Sequence, residues 1–376
     1  MAELLKDKYY NAASLRDLGL RIKAAAPAFP VERFVADTLD EAWQALGLKE
    51  RMRQVTVNLG RYLSDDYARA LAILDETAAG YPAGFNDYAL MIFPDFVEVY
   101  GQQEAHWDLS VAALERYTPL SSAEFAVRPF IIRDEARMMR QMALWAGHDN
   151  AHVRRLASEG CRPQLPWGQA LPRFKEDPEP VLAILERLKA DPSLYVRKSV
   201  ANNLNDISKT HPDRVAGLAR KWYGQNRHTD WIVKHGCRTL LKKGNPEVLE
   251  LFGFEDAASI EVAGFALAAA AVAIGQDLVF TFKIRAGKEA RVRLEYGIDY
   301  VKANGRRSRK IFQISELSLK ANQEKTYTKV QSFADLSTRK HCPGPHAVTL
   351  IVNGAKRGTL DFELLPAEGR TGSEGE

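Results

Sequence analysis

The sequence has only three cysteines in 376 residues, Cys161, Cys237 and Cys342. They are too few and too scattered for a disulfide framework or a zinc site, which fits a reducing, cytoplasmic setting. Long apolar runs are also missing. The one membrane suspect, FALAAAAVAI at 265–274, has ten residues, about half of what a membrane-spanning helix needs. The amino-terminal MAELLKDKYYNAASLRDL carries charges and no apolar signal core, so neither export nor membrane association is expected. No G-x-x-x-x-G-K-[ST], G-x-G-x-x-G or G-x-S-x-G occurs, which leaves nucleotide-binding and serine-hydrolase chemistry without support. His148 and His152 stand four apart with Asp149 between them. No third strong ligand follows at a fixed spacing, so they read as flanking a helix N-cap and no metal site is expected. His341, Cys342 and His346 surround Pro343-Gly344-Pro345 and read as part of a turn.

What is present is an ordinary soluble composition, 46% apolar and 27% charged, in a chain long enough for two folded units. From Leu15 to about Leu251 apolar residues recur at helical spacing, punctuated by turn clusters at Tyr81 to Gly84, Pro163 to Pro166 and Lys243 to Pro246. Beyond an acidic joint the texture becomes β-branched and aromatic. Strands are predicted at 278–286, 290–298, 309–319, 325–333, 346–355 and 358–365, with 265–274 as a possible seventh. The expected architecture is a HEAT-like helical solenoid over 1–252 and an acidic linker over 253–262. A small immunoglobulin-like β-sandwich over 263–366 and a disordered tail over 367–376 follow.

The solenoid expectation comes from a repeat. HDNAHVRRLASEG from His148, DPSLYVRKSVANN from Asp191 and HTDWIVKHGCRTL from His228 align on Val153, Val196 and Ile232, spaced close to the roughly 40 to 47 residues of HEAT-type units. Two positions after the shared aliphatic stand Arg155, Lys198 and Lys234; four further come Glu159, Asn202 and Arg238, and then Arg162, Asp206 and Lys242. Residues at these steps share one helix face, so stacked repeats would merge them into a polar surface. The plainer reading is a row of solvated helix faces. Charge distribution favours a surface with a use. Residues 128–243 carry 22 Lys+Arg against 12 Asp+Glu, whereas 1–127 carry 12 against 19; 244–262 have five acids and no base, and 263–376 have 18 bases against 12 acids. Two basic blocks across an acidic joint fit two surfaces gripping one polyanion, with nucleic acid the leading partner.

Carboxylates inside that basic region carry the chemistry. Glu124 lies in SSAEFAVRPF, where Ser121 and Glu124 could equally form a capping box. Glu159 follows Arg155 by one turn, as an ordinary ion pair would. Asp206 follows Asn202, Asn203 and Asn205, a costly composition for a helix interior that calls for a use, although capping the helix end is an alternative. Trp167 comes after Arg162-Pro163-Gln164-Leu165-Pro166. It could cover a core edge, or stand exposed as a shelf for a cationic planar group. Trp222, Tyr223 and Trp231, where one repeat helix gives way to the next, read as packing. An aromatic shelf with two or three carboxylates suits cleavage of an N-glycosidic bond, in which positive charge builds on the sugar. A base already cationic through alkylation leaves without acid catalysis, so no cofactor is expected.

These residues resemble the HEAT-like-repeat alkylpurine DNA glycosylases, in particular their AlkC branch. The likeness extends over nearly the whole chain and is most specific at EFAVRPF (124–130), HVRRLASEGCRPQLPW (152–167) and VRKSVANNLNDISKTHP (196–212). The resemblance implies hydrolytic excision of 3-methyladenine and 3-methylcytosine from double-stranded DNA, without flipping the lesion into a deep pocket. It makes Glu124, Glu159 and Asp206 the candidate active-site carboxylates, with Trp167 touching the lesion or its sugar. Arg155, Arg162, Lys198, Lys234 and Arg238 become phosphate ligands. The β domain resembles one carried by some AlkC-type members. Its loop Asn304 to Lys310, with Arg306, Arg307, Arg309 and Lys310, would clamp the duplex, a solvated hairpin tip being the alternative. The expected protein is a cofactor-free, monomeric, monofunctional glycosylase of alkylated double-stranded DNA. A non-catalytic HEAT-type adaptor for nucleic acid or protein is the rival, and an RNA-modifying hydrolase a third reading.

Overall fold

A computed structural model describes residues 4–82, 87–336 and 340–367. The chain divides into two compact units, Met1–Val215 with Trp222–Gly236, and Ala216–Lys221 with Cys237–Glu376. Ala83 and Gly84 of the first expected turn, and all of the expected tail except Ala367, lie outside the described residues.

The first unit is helical. Short polar side chains start its helices by accepting from amides that have no partner inside the helix. Asn11 does so for Ala12–Ala25, Asp134 for Glu135–Trp145 and Asn150 for Ala151–Glu159. The three helices that carry the repeat, Ala151–Glu159, Leu194–Ile207 and Arg227–Gly236, pack one on the next. Val153, Val196 and Ile232 are each at most 1% exposed, so the recurring aliphatic is the shared core contact. Glu135–Trp145 and Glu179–Leu188 form a second layer behind them, the two-layer arrangement of a HEAT-like array. Polar groups also tie neighbouring repeats. The Ser158 and Ser199 hydroxyls meet at 2.6 Å, and the Asn203 amide donates to the Ser158 carbonyl at 2.8 Å. Part of the amide-rich stretch is therefore spent between helices. Gly160 ends the 151–159 helix where a Cβ would lie 2.7 Å from Val127 Cγ1, and this close approach brings the 121–127 turn against the helix end.

The second unit is a β-sandwich with eight strands among the described residues: β1 (Ile260–Leu267), β2 (Ala271–Ala273), β3 (Asp277–Ala286), β4 (Ala290–Val301), β5 (Arg307–Leu319), β6 (Glu324–Ser332), β7 (Gly344–Val352) and β8 (Ala355–Leu365). One sheet runs β1-β3-β6 and the other β2-β8-β7-β4-β5. Period-two burial along β3 sends Leu278, Phe280, Phe282 and Ile284 into the core, against Val292 and Leu294 of β4 and Leu350 of β7. The run 265–274 is not one strand. β1 pairs with β3 and β2 with β8, so the chain changes sheet between them. No helix among the described residues is long and apolar enough to cross a membrane.

The stretch 253–262 is built into this second unit, and β1 already starts at Ile260. The Asn353 side chain donates to the Glu255 carbonyl at 2.7 Å, Arg291 donates to the Phe252 carbonyl at 2.7 Å, and a Cβ at Gly244 would lie 2.8 Å from the Gly354 carbonyl oxygen. These main-chain contacts explain why the helices Arg238–Lys242 and Pro246–Leu251 group with the sandwich, and why the division falls after Gly236.

Candidate active site

Glu124 sits in the turn that precedes helix Arg128–Arg133. No helix begins at Ser121, so the capping box does not form. The Glu124 carboxylate instead accepts from Ser122 Oγ at 2.9 Å and makes a short ion pair with Arg155. Arg155 projects from the 151–159 helix, donates to Ser122 Oγ at 2.7 Å and reaches Glu159 at 3.4 Å. Glu159 is the last residue of that helix and pairs with Arg162 at 2.7 Å. Arg162 continues to Asp206 at 2.7 Å, and Lys209 closes the series on the other Asp206 oxygen at 2.8 Å.

The result is a ladder of alternating charge, Glu124, Arg155, Glu159, Arg162, Asp206 and Lys209. Its first five side chains are at most 15% exposed. Burial opposes the charge on Arg155 and Arg162, but the flanking carboxylates outweigh it and hold both guanidinium groups above the ordinary arginine range. Each acid inside the ladder is fixed by at least one charge-assisted hydrogen bond. Breaking a buried pair on one side leaves an uncompensated charge, at about 3–5 kcal/mol.

An open cleft of about 430 Å³ lies along one end of this ladder, walled by Glu124, Arg155, Glu159, Trp167, Tyr88 and Tyr195 among others. Asp206 is not on its wall. It meets Arg162 on the far side, so the structure does not bring the third candidate acid to the open space; the spacing along the repeat put it on the right helix face, one arginine too deep. Trp167 is 67% exposed at the cleft and adopts φ 63°. A non-glycine residue there carries on the order of 1–3 kcal/mol of backbone strain. Covering a core edge does not explain this indole. Trp222, by contrast, is buried and donates to Glu186 at 2.6 Å, as packing requires, and Trp231 stacks on His235 with centroids 3.8 Å apart.

Arg155 and Arg162, expected as phosphate ligands, are engaged by the carboxylates and nearly buried. Lys198 and Lys234 are exposed, and Arg238 falls in the second unit. In the β4–β5 hairpin Arg306, Arg307 and Lys310 are exposed, whereas Arg309 pairs with Asp299 through Nε at 2.7 Å and donates to Thr349 at 3.2 Å. Asn150 donates its amide to His148 Nδ1 at 2.9 Å, and the His152 ring packs edge-on to Tyr195 at 5.3 Å. His346 lies in the sandwich core and accepts from the Val301 amide at 3.3 Å.

Sequence reading missed four contributors. Ser122 bridges Glu124 and Arg155. Tyr195 faces the Arg155 guanidinium at 5.2 Å. Arg128 is fully buried, and burial pushes its pKa down to about 10. Lys49 donates to the Trp167 carbonyl at 2.8 Å. Ser122 and Arg128 flank or lie within the motif around Glu124, which was a signal. Lys49 lies 118 residues from Trp167 in the chain, and no local pattern marks it.

Residues 121–240 match the family model described as DNA alkylation repair enzyme, and 261–366 match the C-terminal Ig-like domain of the uncharacterised protein YhaZ. The uncharacterized protein YhaZ of Bacillus subtilis (strain 168) is 48% identical over 364 residues, which cover 97% of this chain and 100% of that protein. The alkylpurine DNA glycosylase AlkC of Pseudomonas fluorescens, solved bound to DNA containing an abasic site analog, has a TM-score of 0.90 and 37% identity over 96% of this chain and 99% of its own. The chain therefore belongs to the AlkC-type family of DNA alkylation repair enzymes.

Proposed function

We propose that this protein is a DNA glycosylase that hydrolyses the N-glycosidic bond of alkylated bases, 3-methyladenine and 3-methylcytosine, in double-stranded DNA. The observation that carries the reading is the pair of arginine-held carboxylates, half-buried Glu124 and buried Glu159, on the wall of an open cleft beside an exposed indole. A base made cationic by alkylation is a good leaving group, so the protein's task is to stabilise the positive charge that grows on the sugar and to place a water. Two fixed carboxylates serve both ends, because their orientation is set before the reaction begins. Arg155 holds both acids. Trp167 offers its ring face to the cationic base or the sugar, and Asp206 acts at one remove by anchoring Arg162.

The cleft is open, which supports attack on a lesion left in the duplex. No lysine or amine stands on its wall except Lys49, which is bonded to the Trp167 carbonyl; this supports a monofunctional enzyme that leaves an abasic site. In this reading the helical unit cleaves, while the sandwich clamps the duplex through Arg306, Arg307 and Lys310. Lys198, Lys234 and Arg238 contribute phosphate contacts. The protein acts as a monomer in the cytoplasm without a cofactor.

The test is release of free base from duplex carrying a single 3-methylcytosine, and from methylated genomic DNA as a source of 3-methyladenine, in EDTA. Release leaving an intact abasic strand is expected. Tight DNA binding with no release from either substrate would put the adaptor reading first.

A further inference from the structure

The cleft described above depends on a loop, 160–169, whose conformation its own sequence does not fully explain. Two prolines stiffen it and the Leu171 amide closes its neck on the Pro163 carbonyl at 3.1 Å. Yet Trp167 is held at a φ that tryptophan avoids, with most of its ring in solvent. Something other than burial of the indole must hold the backbone there.

Two cations do so. Arg128 is 0% exposed and forms no ion pair with a carboxylate among the described residues; its guanidinium donates to the carbonyls of Gly160 at 2.8 Å, Arg162 at 2.9 Å and Gln169. It therefore grips both ends of the loop at once. A buried guanidinium satisfied by main-chain carbonyls alone is costly, and the planar fork suits this three-point grip in a way a lysine does not. Lys49, from helix Leu48–Tyr62, packs its ammonium 4.2 Å from the Phe125 ring centroid and donates to the Trp167 carbonyl at 2.8 Å. That bond fixes the peptide next to the unusual φ.

We propose that Lys49 and Arg128 are positioning residues, which act on base release by clamping the 160–169 backbone so that the Trp167 indole stands at the mouth of the cleft. The assignment rests on the glycosylase reading. It takes Lys49, a cation at the rim of a DNA-binding cleft and the natural choice for a phosphate ligand, out of that role.

The test is a double-mutant cycle in the full chain. Wild type, Lys49→Met, Trp167→Ala and the double variant are compared in single-turnover base release, in salt-dependent binding of duplex containing an abasic-site analogue, and in acrylamide quenching of tryptophan emission, with Trp167→Phe isolating the Trp167 signal. Lys49→Met is expected to slow release by about 10- to 100-fold, as displacement of a positioned group by about an ångström does, and to change the quenching of Trp167. It should leave the salt slope unaltered and have no effect on rate in the Trp167→Ala background. Arg128→Lys, if folded, should show the same loss and the same quenching change. An equal loss of rate with and without Trp167 overturns the proposal, as does a salt slope smaller by about 1, the mark of a lost phosphate contact. Unchanged Trp167 quenching overturns it independently of catalysis. A wild-type protein that releases no base sinks the glycosylase reading and this assignment with it.

Discussion

Replacing Trp167 by glycine and, separately, by alanine asks whether the backbone or the indole sets this loop. At an ordinary position glycine is less stable than alanine by roughly 0.5–1 kcal/mol, because its unfolded chain has more freedom to lose. At φ 63° alanine keeps a Cβ in a region that disfavours it, at about 1–2 kcal/mol, and glycine does not. Both variants lose the same indole contacts, so the burial term cancels in the comparison. The difference that remains favours glycine by about 0.5–1 kcal/mol, a reversal of the usual sign. For a helical unit of this size that is a midpoint about 1–4 °C higher, measurable by thermal unfolding followed by circular dichroism. Base release should be slowed by the same factor in both, since neither has a ring. Alanine more stable than glycine would show that the loop relaxes its backbone once the indole is gone. Strain clamped by Lys49 and Arg128 would then be the wrong account.

Glu124→Gln and Glu159→Gln should both abolish excision but differ in stability. Glu159 is the more buried and stands between two arginines, so its amide variant should lose about 3–5 kcal/mol in urea unfolding and Glu124→Gln less; equal losses would mean that the ladder is not coupled. In the β4–β5 hairpin, removing Arg306 and Arg307 together should lower the salt slope of DNA binding by about 0.9 per arginine. Removing Arg309, already paired with Asp299, should lower it less, and equal effects would refute the division. Burial first, and Arg155 second, lower the His152 pKa. A folded pKa below the unfolded value gives stability that is present above about pH 6.5 and lost as pH falls through the folded value. His152→Asn should therefore flatten the stability profile below pH 6.5, and an unchanged slope would show that other groups set it.

Where the sequence was periodic, it was legible. The aliphatics of the three repeats mark buried helix faces, and β3 to β8 fall within a few residues of the alternating stretches. The alanine-rich run before them has neither a turn residue nor an alternation, so its break into β1 and β2 left no trace, and the acidic stretch before it looked like a linker because its ties are made by its main-chain carbonyls to distant side chains, Asn353 and Arg291. The same limit applies at the site. Glu124, Glu159 and Trp167 stood out locally. Glu159 finds Arg155 and Arg162 within a turn of itself, but the partners of Glu124 and Trp167, Arg155 and Lys49, lie 31 and 118 residues away in the chain, and only the packing of successive repeats decides that Arg155 also reaches Glu124 and that Asp206 stops short of the cleft.

The ladder also constrains how such a site can change through descent. Every rung between Glu124 and Lys209 answers to two neighbours, so exchanging one acid or one arginine unbalances both, and swapping two adjacent rungs sets like charges against the rungs on either side. The six positions are thereby expected to change together or not at all, and the freedom to vary falls to residues that touch the cleft without belonging to the ladder, Tyr88 and Tyr195 foremost.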